Sequence, residues 1–320
     1  NKDDLRVDVA ADVAEATPLR LGMPGSDFQA RRFPIRTEVI RGITRGERGL
    51  LNAVTNGGKS TLIRNLGLSL GTGRPFQPLY KGGEPMRVAL LDFETDPYRL
   101  QTDLQKMLGR FHHGERAFAW ENILIFPALD RAHKQKFTLS DPDILMRTIE
   151  EIHEFNADLT IVDTISRAFQ IRNESENSEV IDKVMEPLEM MAVAADTAIL
   201  AVHHIGKSKA ENGSVREAAH RGRGASAFSD QSIAIYNLDR DRVNDRTILS
   251  NAKIKGEEFD DTVLYLNRDN RWFERAEVLQ PGVTNYEAVM GLFEQGTVLK
   301  TGEVITALKG RVTERTAKER

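Results

Sequence analysis

Lys59-Ser60-Thr61 stands at the junction of two patterns. Before it, the apolar run ending in Arg48-Gly-Leu-Leu51 reads as a buried strand, followed by the small-residue loop Asn52-Ala-Val-Thr-Asn56-Gly57-Gly58. After it, Leu62-Ile63, Leu66 and Leu70 recur at helical spacing. A strand, a glycine-rich loop and a helix opening on Lys-Ser is the arrangement that binds phosphate. Backbone N–H groups cradle the oxygens, Lys reaches the terminal phosphates, Ser or Thr holds Mg²⁺, and the helix N-terminus adds its dipole. Asn56, Gly57, Gly58, Lys59, Ser60 and Thr61 are therefore the expected nucleotide contacts, with Ser60 also on the metal. The first glycine of the usual G-x-x-x-x-G-K-S spacing is Ala53 here, which is compatible with the loop if its φ is negative.

Hydrolysis needs a metal partner and a group that orients water. Leu159-Thr-Ile-Val-Asp163-Thr164 is an apolar strand ending in an acid, which puts Asp163 at the strand terminus where open α/β sheets place ligands. It is the expected Mg²⁺ partner; the plainer alternative is a strand-end Asp capping the next turn. The residue after it is Thr, not the Glu that many ring-forming ATPases carry there. Val88-Ala-Leu-Leu-Asp92-Phe93-Glu94-Thr95 supplies the nearest other strand-end carboxylates. Glu94 is the expected general base. Strand alternation points Asp92 to the same face, so Asp92 competes, as does a solvated acidic turn before Pro97.

Thr197-Ala-Ile-Leu-Ala-Val-His203-His204 is a further strand leading to polar groups. A His there can sense the γ-phosphate. A metal site is the alternative, though neither Cys nor a spaced acid accompanies the pair. Ile205–Arg223 holds five Lys/Arg against two Glu in a chain of net charge −4. Lys207, Lys209, Arg216 and Arg221 are plausible phosphodiester contacts, against the alternative of a solvated loop. The stretch lacks aromatic side chains for base stacking. Arg223, leading into the next strand, can reach a neighbouring subunit's γ-phosphate; Lys253 and Lys255 are alternatives.

The elements that must position these groups alternate along the chain. Strands are expected at Met86–Asp92, Ile123–Phe126, Leu159–Asp163, Ala198–His203 and Ser232–Tyr236. Helices are expected at Lys59–Leu70, Pro97–Leu108, Asp141–Phe155 and Glu179–Ala195, the last kinked or split by Pro187. This α/β alternation predicts a mostly parallel sheet with helices on both faces. Thr247–Lys253, Thr262–Asn267 and Arg271–Phe273 follow without intervening helices and read as an antiparallel edge. Residues 1–30 read as a flexible lead-in, 31–279 as the catalytic domain beginning with a short collar, and 280–285 as a linker. Residues 286–320 read as a small helical unit, either a winged helix or helix-turn-helix or a plain helical appendage, cut off inside its last helix. A first residue of Asn rather than Met reads as an excised segment.

Composition sets outer bounds. The chain has 320 residues, 40% hydrophobic and 29% charged, an ordinary globular balance. A globally basic nucleic-acid binder is excluded, though not local patches. With no Cys there is neither a disulfide framework nor a thiolate metal site. No apolar run approaches the ~20 residues that span a membrane, and no signal-peptide pattern is present. A cytoplasmic location fits.

Taken together, Asn56-Gly-Gly-Lys-Ser-Thr61, Leu91-Asp-Phe-Glu94, Ile161-Val-Asp-Thr164, Val202-His-His204 and Arg223-Gly-Ala-Ser226 resemble, in type and order, the RecA-type P-loop ATPases, and within them the hexameric replicative helicases of the RepA kind. The resemblance covers about residues 31–275. It implies a RecA-like core, ATP and Mg²⁺ as cofactors, Glu94 as catalytic base, His204 as sensor and Arg223 as the finger. It also implies a homo-oligomeric ring, a hexamer in that family, with ATP between subunits and single-stranded DNA in the channel. Ala53 departs from the family's Gly. The implied activity is a DNA-stimulated ATPase, a helicase in the replication of a plasmid, phage or mobile element. An ATP-switched DNA-binding regulator or loader shares the same features. A strand-exchange recombinase shares the core but is disfavoured by the lack of an N-terminal aromatic polymerisation segment.

Overall fold

The computed structural model describes residues 22–33, 37–54, 56–130, 137–171, 176–205 and 226–275. The chain divides into two units, residues 1–36 and 37–320. In the first, a short helix α1 (Gly25–Ala30) lies within the stretch expected to be a flexible lead-in. The Phe28 and Phe33 rings lie 5.3 Å apart.

The second unit opens with a small two-stranded sheet, β1 (Glu38–Ile40) and β2 (Ile43–Thr44). Nine further strands form one sheet: β3 (Arg48–Val54), β4 (Val88–Asp92), β5 (Ile123–Pro127), β6 (Leu159–Asp163), β7 (Ala198–Ile205), β8 (Ala234–Asp241), β9 (Arg246–Lys253), β10 (Thr262–Asn267) and β11 (Trp272–Arg275). Their order is β11-β10-β9-β8-β3-β7-β6-β4-β5. From β8 to β5 all neighbours are parallel. The β8-β9-β10-β11 edge is antiparallel. This is the expected α/β architecture of a RecA-like fold.

The parallel strands read as largely apolar runs because both faces are covered. On β4, Val88 and Leu90 enter one core with Leu62, Leu66 and Leu104, whereas Ala89 and Leu91 enter the other with Ile149, Ile165 and Leu188. The helices that cover them are α2 (Lys59–Thr72), α3 (Pro97–Leu108), α4 (His113–Glu121), α5 (Pro142–Phe155), α6 (Ile165–Phe169), α7 (Asn177–Val180), α8 (Glu186–Ala194) and α9 (Ser226–Asp230). Asp96-Pro97 and Asp141-Pro142 start α3 and α5 by one device. The Asp side chain accepts from a first-turn N–H (Asp96 from Arg99, 3.1 Å; Asp141 from Asp143, 3.0 Å), and Pro occupies a position whose N–H has no helical partner.

Two expectations change and one is made specific. Helix α4 is additional; it packs on α2 through a single fully buried side chain, Ala119, too narrow an apolar stripe to stand out. The helix from Glu179, expected to be kinked or split by Pro187, is interrupted by a π-turn at Ile181–Met185, two residues before that proline, which lacks the N–H for a regular bond. Strand β8 runs past Tyr236 to Asp241, since Asn237 is buried against Asn52 and the polar end pairs with β9 as a hairpin. The linker and the C-terminal unit lie outside the described residues.

Candidate nucleotide-binding site

Strand β3 lies between β7 and β8, and its C-terminal end delivers the loop to α2. Ala53 is ordinary extended strand, paired with His204 and Leu238, so no glycine is required there. The positive φ values fall later, on Asn56 (63°) and Gly58 (90°). Asn tolerates that region. At Gly58 a Cβ would lie 2.8 Å from Cζ of Phe273, so both backbone and space demand glycine. Lys59 opens α2, whose first N–H groups have no partner within the helix.

Strands β4 and β6 are in register, with Asp92 opposite Asp163. The two acids have different surroundings. Asp92 is fully buried and committed: Oδ2 accepts from Arg64 Nη2 at 2.7 Å, and Oδ1 accepts from the N–H groups of Glu94 (3.0 Å) and Thr95 (2.7 Å). Arg64 also donates to Thr95 Oγ1 and to Asp103, and Asp103 in turn holds Arg271. Asp92 thus fixes the turn that carries Glu94.

The Glu94 carboxylate lies among the side chains that the sequence singles out. Its Oε2 is 3.4 Å from Lys59 Nζ. Its Oε1 is 2.9 Å from His204 Nε2 and accepts from Thr164 Oγ1 at 3.2 Å. The His204 hydrogen bond, with the Lys59 charge, lowers the carboxyl to about 2 against the cost of partial burial. An ionised carboxylate only accepts, so the ring proton sits on Nε2 of His204. His203 faces the other side of the sheet, its Nδ1 3.3 Å from Asn52 Oδ1 and its ring against Phe228. Only one member of the His pair therefore enters the site.

Asp163 is fully buried, and neither carboxylate oxygen has a partner at standard hydrogen-bond geometry. Burial, then the charge of Asp92, pushes it up to about 6, although the nearby Ser60 hydroxyl and Lys59 ammonium pull the other way. A sealed carboxylate without a hydrogen bond of standard geometry, beside a Ser hydroxyl, fits a divalent cation. Mg²⁺ suits it best, since that ion keeps several waters and takes one or two protein oxygens together with substrate phosphates. Among the described residues no three His, Cys, Asp or Glu side chains gather into a metal cluster.

The cleft over the loop is lined by Asn56 to Thr61 and Arg64, and by Glu94, Thr95, Asp96, Arg99, Asp103 and Arg271. Sequence reading misses Arg64, Arg99, Thr164 and Arg271. Arg64 carries a signal in hindsight, being a cation on an otherwise apolar helix that must find buried anions. Lys207, Lys209, Arg216, Arg221 and Arg223 lie outside the described residues. Lys253 Nζ donates to the carbonyl of Ser229 at 3.0 Å, at the C-terminal end of α9, an engagement that counts against its use as a finger.

The sheet order, the loop and the strand-end acids define a RecA-like P-loop ATPase. A family profile described as an AAA domain matches residues 15–210, more than half of the chain, and the chain belongs to that family. Among solved structures it is similar to a KaiC-like protein from the hyperthermophilic archaeon Pyrococcus horikoshii OT3. That likeness covers 76% of this chain and 99% of the other, at 12% identity and a TM-score of 0.50, and it concerns the fold. No curated protein sequence matches the chain. Among the described residues no helix is long and apolar enough to cross a membrane.

Proposed function

We propose that this chain hydrolyses ATP with Mg²⁺ in a DNA-stimulated cycle, as a ring helicase of the RepA kind in the replication of a plasmid, phage or mobile element. The observation that carries the hydrolytic part is the Glu94 carboxylate, ionised and fixed between Lys59 and His204, one strand from Asp163. In this reading Lys59 and the first turn of α2 bind the phosphates, and Ser60 and Asp163 hold the metal. When bound, Mg²⁺ neutralises charge on the phosphate oxygens. Glu94 takes a proton from water as the water oxygen bonds to the γ-phosphorus; the bridging bond to the β-phosphate breaks and ADP leaves with the electron pair.

The ring, the nucleotide between subunits and the DNA partner are supported by the sequence resemblance and by the basic stretch Lys207, Lys209, Arg216 and Arg221. Arg223 is assigned as the finger on a neighbour's γ-phosphate. The test measures ATP turnover with and without single-stranded DNA, together with strand displacement, in wild type and Lys59→Ala. The expected result is stimulation and displacement, both lost in the variant. Turnover and DNA binding without displacement identify an ATP-switched regulator or loader instead. Turnover indifferent to DNA, or retained by Lys59→Ala, overturns the proposal.

A further inference from the structure

We infer that Thr164 is a positioning residue that holds one oxygen of Glu94 in place, so that the other is left to accept the proton of the attacking water. Thr164 occupies the position after Asp163, where its hydroxyl meets the Glu94 carboxylate carried just beyond the neighbouring strand β4. The inference rests on the reading of Glu94 as base.

The side chain is fully buried, and its Oγ1 donates to Glu94 Oε1 at 3.2 Å. Ser166 Oγ lies 3.4 Å behind it. With the Thr164 proton committed to the carboxylate, Ser166 is the donor in that second contact. The Thr164 backbone is anchored independently, its carbonyl accepting from the N–H groups of Arg167 (3.1 Å) and Ala168 (2.9 Å) at the start of α6. The hydroxyl is therefore held by the fold and not by the carboxylate alone.

Glu94 has three side-chain partners of two kinds. Lys59 and His204 are nitrogen donors that an incoming γ-phosphate attracts, and Lys59 is the group assigned to it. Thr164 is neutral, anchored through its backbone, and does not follow a phosphate. When Lys59 turns to the nucleotide, Oε2 is freed and Oε1 stays pinned. A carboxylate fixed at one oxygen presents the other to water in a single orientation, which acts on the chemical step rather than on substrate affinity.

Thr164→Val keeps the shape and removes the hydroxyl; Thr164→Ala removes it without placing a methyl group against the carboxylate. Expected for either is a kcat about tenfold lower with the KM for ATP within about twofold, and recovery to within about threefold in Thr164→Ser, the variant that restores the hydroxyl. In a Glu94→Gln background, Thr164→Val has no additional effect on kcat, because its role passes through Glu94. Wild-type kcat in both hydroxyl-free variants overturns the inference, as does failure of Thr164→Ser to recover or a full additional loss in the Glu94→Gln background. The two readings separate cleanly: undiminished turnover in Glu94→Gln removes the base assignment itself, whereas Glu94→Gln inactive with Thr164→Val unaffected removes this inference alone.

Discussion

The Glu94 carboxylate reaches across the end of β6 to meet His204 at 2.9 Å, joining two strands that are not neighbours in the sheet. The contact spans the residues that end β6, Asp163 and Thr164. The proposed base, sensor and metal acid are thereby gathered at the ends of three successive strands. Replacing Glu94 by Gln keeps the shape and removes the proton acceptor, so kcat is expected to fall about 10²-fold or more. Nucleotide affinity is expected to hold or tighten, because the amide no longer competes for Lys59. Titration with a fluorescent ATP analogue beside a turnover assay checks both arms; equal turnover in wild type and variant moves the base elsewhere.

The pH profile follows from the two acids. Glu94, held at about 2, stays ionised throughout the range in which the protein is assayed. Asp163, pushed up to about 6, must lose its proton to accept a metal. Turnover at limiting Mg²⁺ is expected to rise with pH through about 6, and added Mg²⁺ to move that limb to lower pH as metal competes with proton. A limb that ignores Mg²⁺ concentration would argue against Asp163 as metal partner.

The same carboxylate weighs on stability. Its folded-state value lies above the ordinary 3.8, so the folded protein binds the extra proton and the penalty is absent below that pH. It builds as pH rises toward about 6 and is constant beyond, on the order of 3 kcal/mol. Asp163→Asn is therefore expected to melt several degrees higher than wild type at pH 7 without metal, with the difference vanishing near pH 4. The variant should also gain less stability from Mg²⁺ and ATP. Thermal melts across pH, with and without ligand, read this directly; a variant less stable than wild type at pH 7 contradicts it.

Much of this site is legible in the sequence, for a definite reason. Strand β6 is read to the residue because burial on both faces leaves Leu159–Val162 apolar but for the buried Thr160, a pattern that ends abruptly at Asp163. The acid pair at the end of β4 and in the turn beyond it is equally visible, but the choice between Asp92 and Glu94 is not. It depends on Arg64 and Asp103, which lie on two helices and meet Asp92 only in the fold. Thr164 is visible in sequence merely as a missing Glu. Its contact with Glu94, and the role proposed from it, depends on the alignment of β4 with β6, which no local pattern encodes. Ala53 is resolved the same way: the motif spacing marks it as a departure, and its extended backbone removes the objection.

That contrast between glycine positions is testable. Gly58→Ala forces a Cβ into the left-handed region and toward the Phe273 ring. The expected cost is about 1–3 kcal/mol of stability, with nucleotide affinity reduced at least tenfold as the loop shifts. Ala53→Gly, which restores the usual motif, is expected to leave affinity within about twofold and to lower stability by roughly 0.5–1 kcal/mol, since glycine weakens a strand. Isothermal titration and chemical denaturation of the pair suffice. Tighter binding in Ala53→Gly by tenfold would show that the loop is compromised by its alanine.

Arg64 decides what Asp92 is for. The guanidinium is buried and bonded to Asp92, Asp103 and Thr95, and Asp92 in turn holds the N–H groups of Glu94 and Thr95. Arg64→Met leaves two buried carboxylates short of their cation. Breaking such a pair costs about 3–5 kcal/mol, partly relieved at Asp103 because Arg271 remains. Asp92→Asn keeps an oxygen for the two N–H groups and loses the charge. It is expected to lower the urea midpoint clearly while kcat falls less than tenfold, the reverse of Glu94→Gln, in which kcat collapses and the midpoint holds. If Asp92→Asn abolished turnover at undiminished stability, Asp92 rather than Glu94 would be the proton acceptor, and the Arg64 network would have to be read as tuning a base rather than bracing a turn.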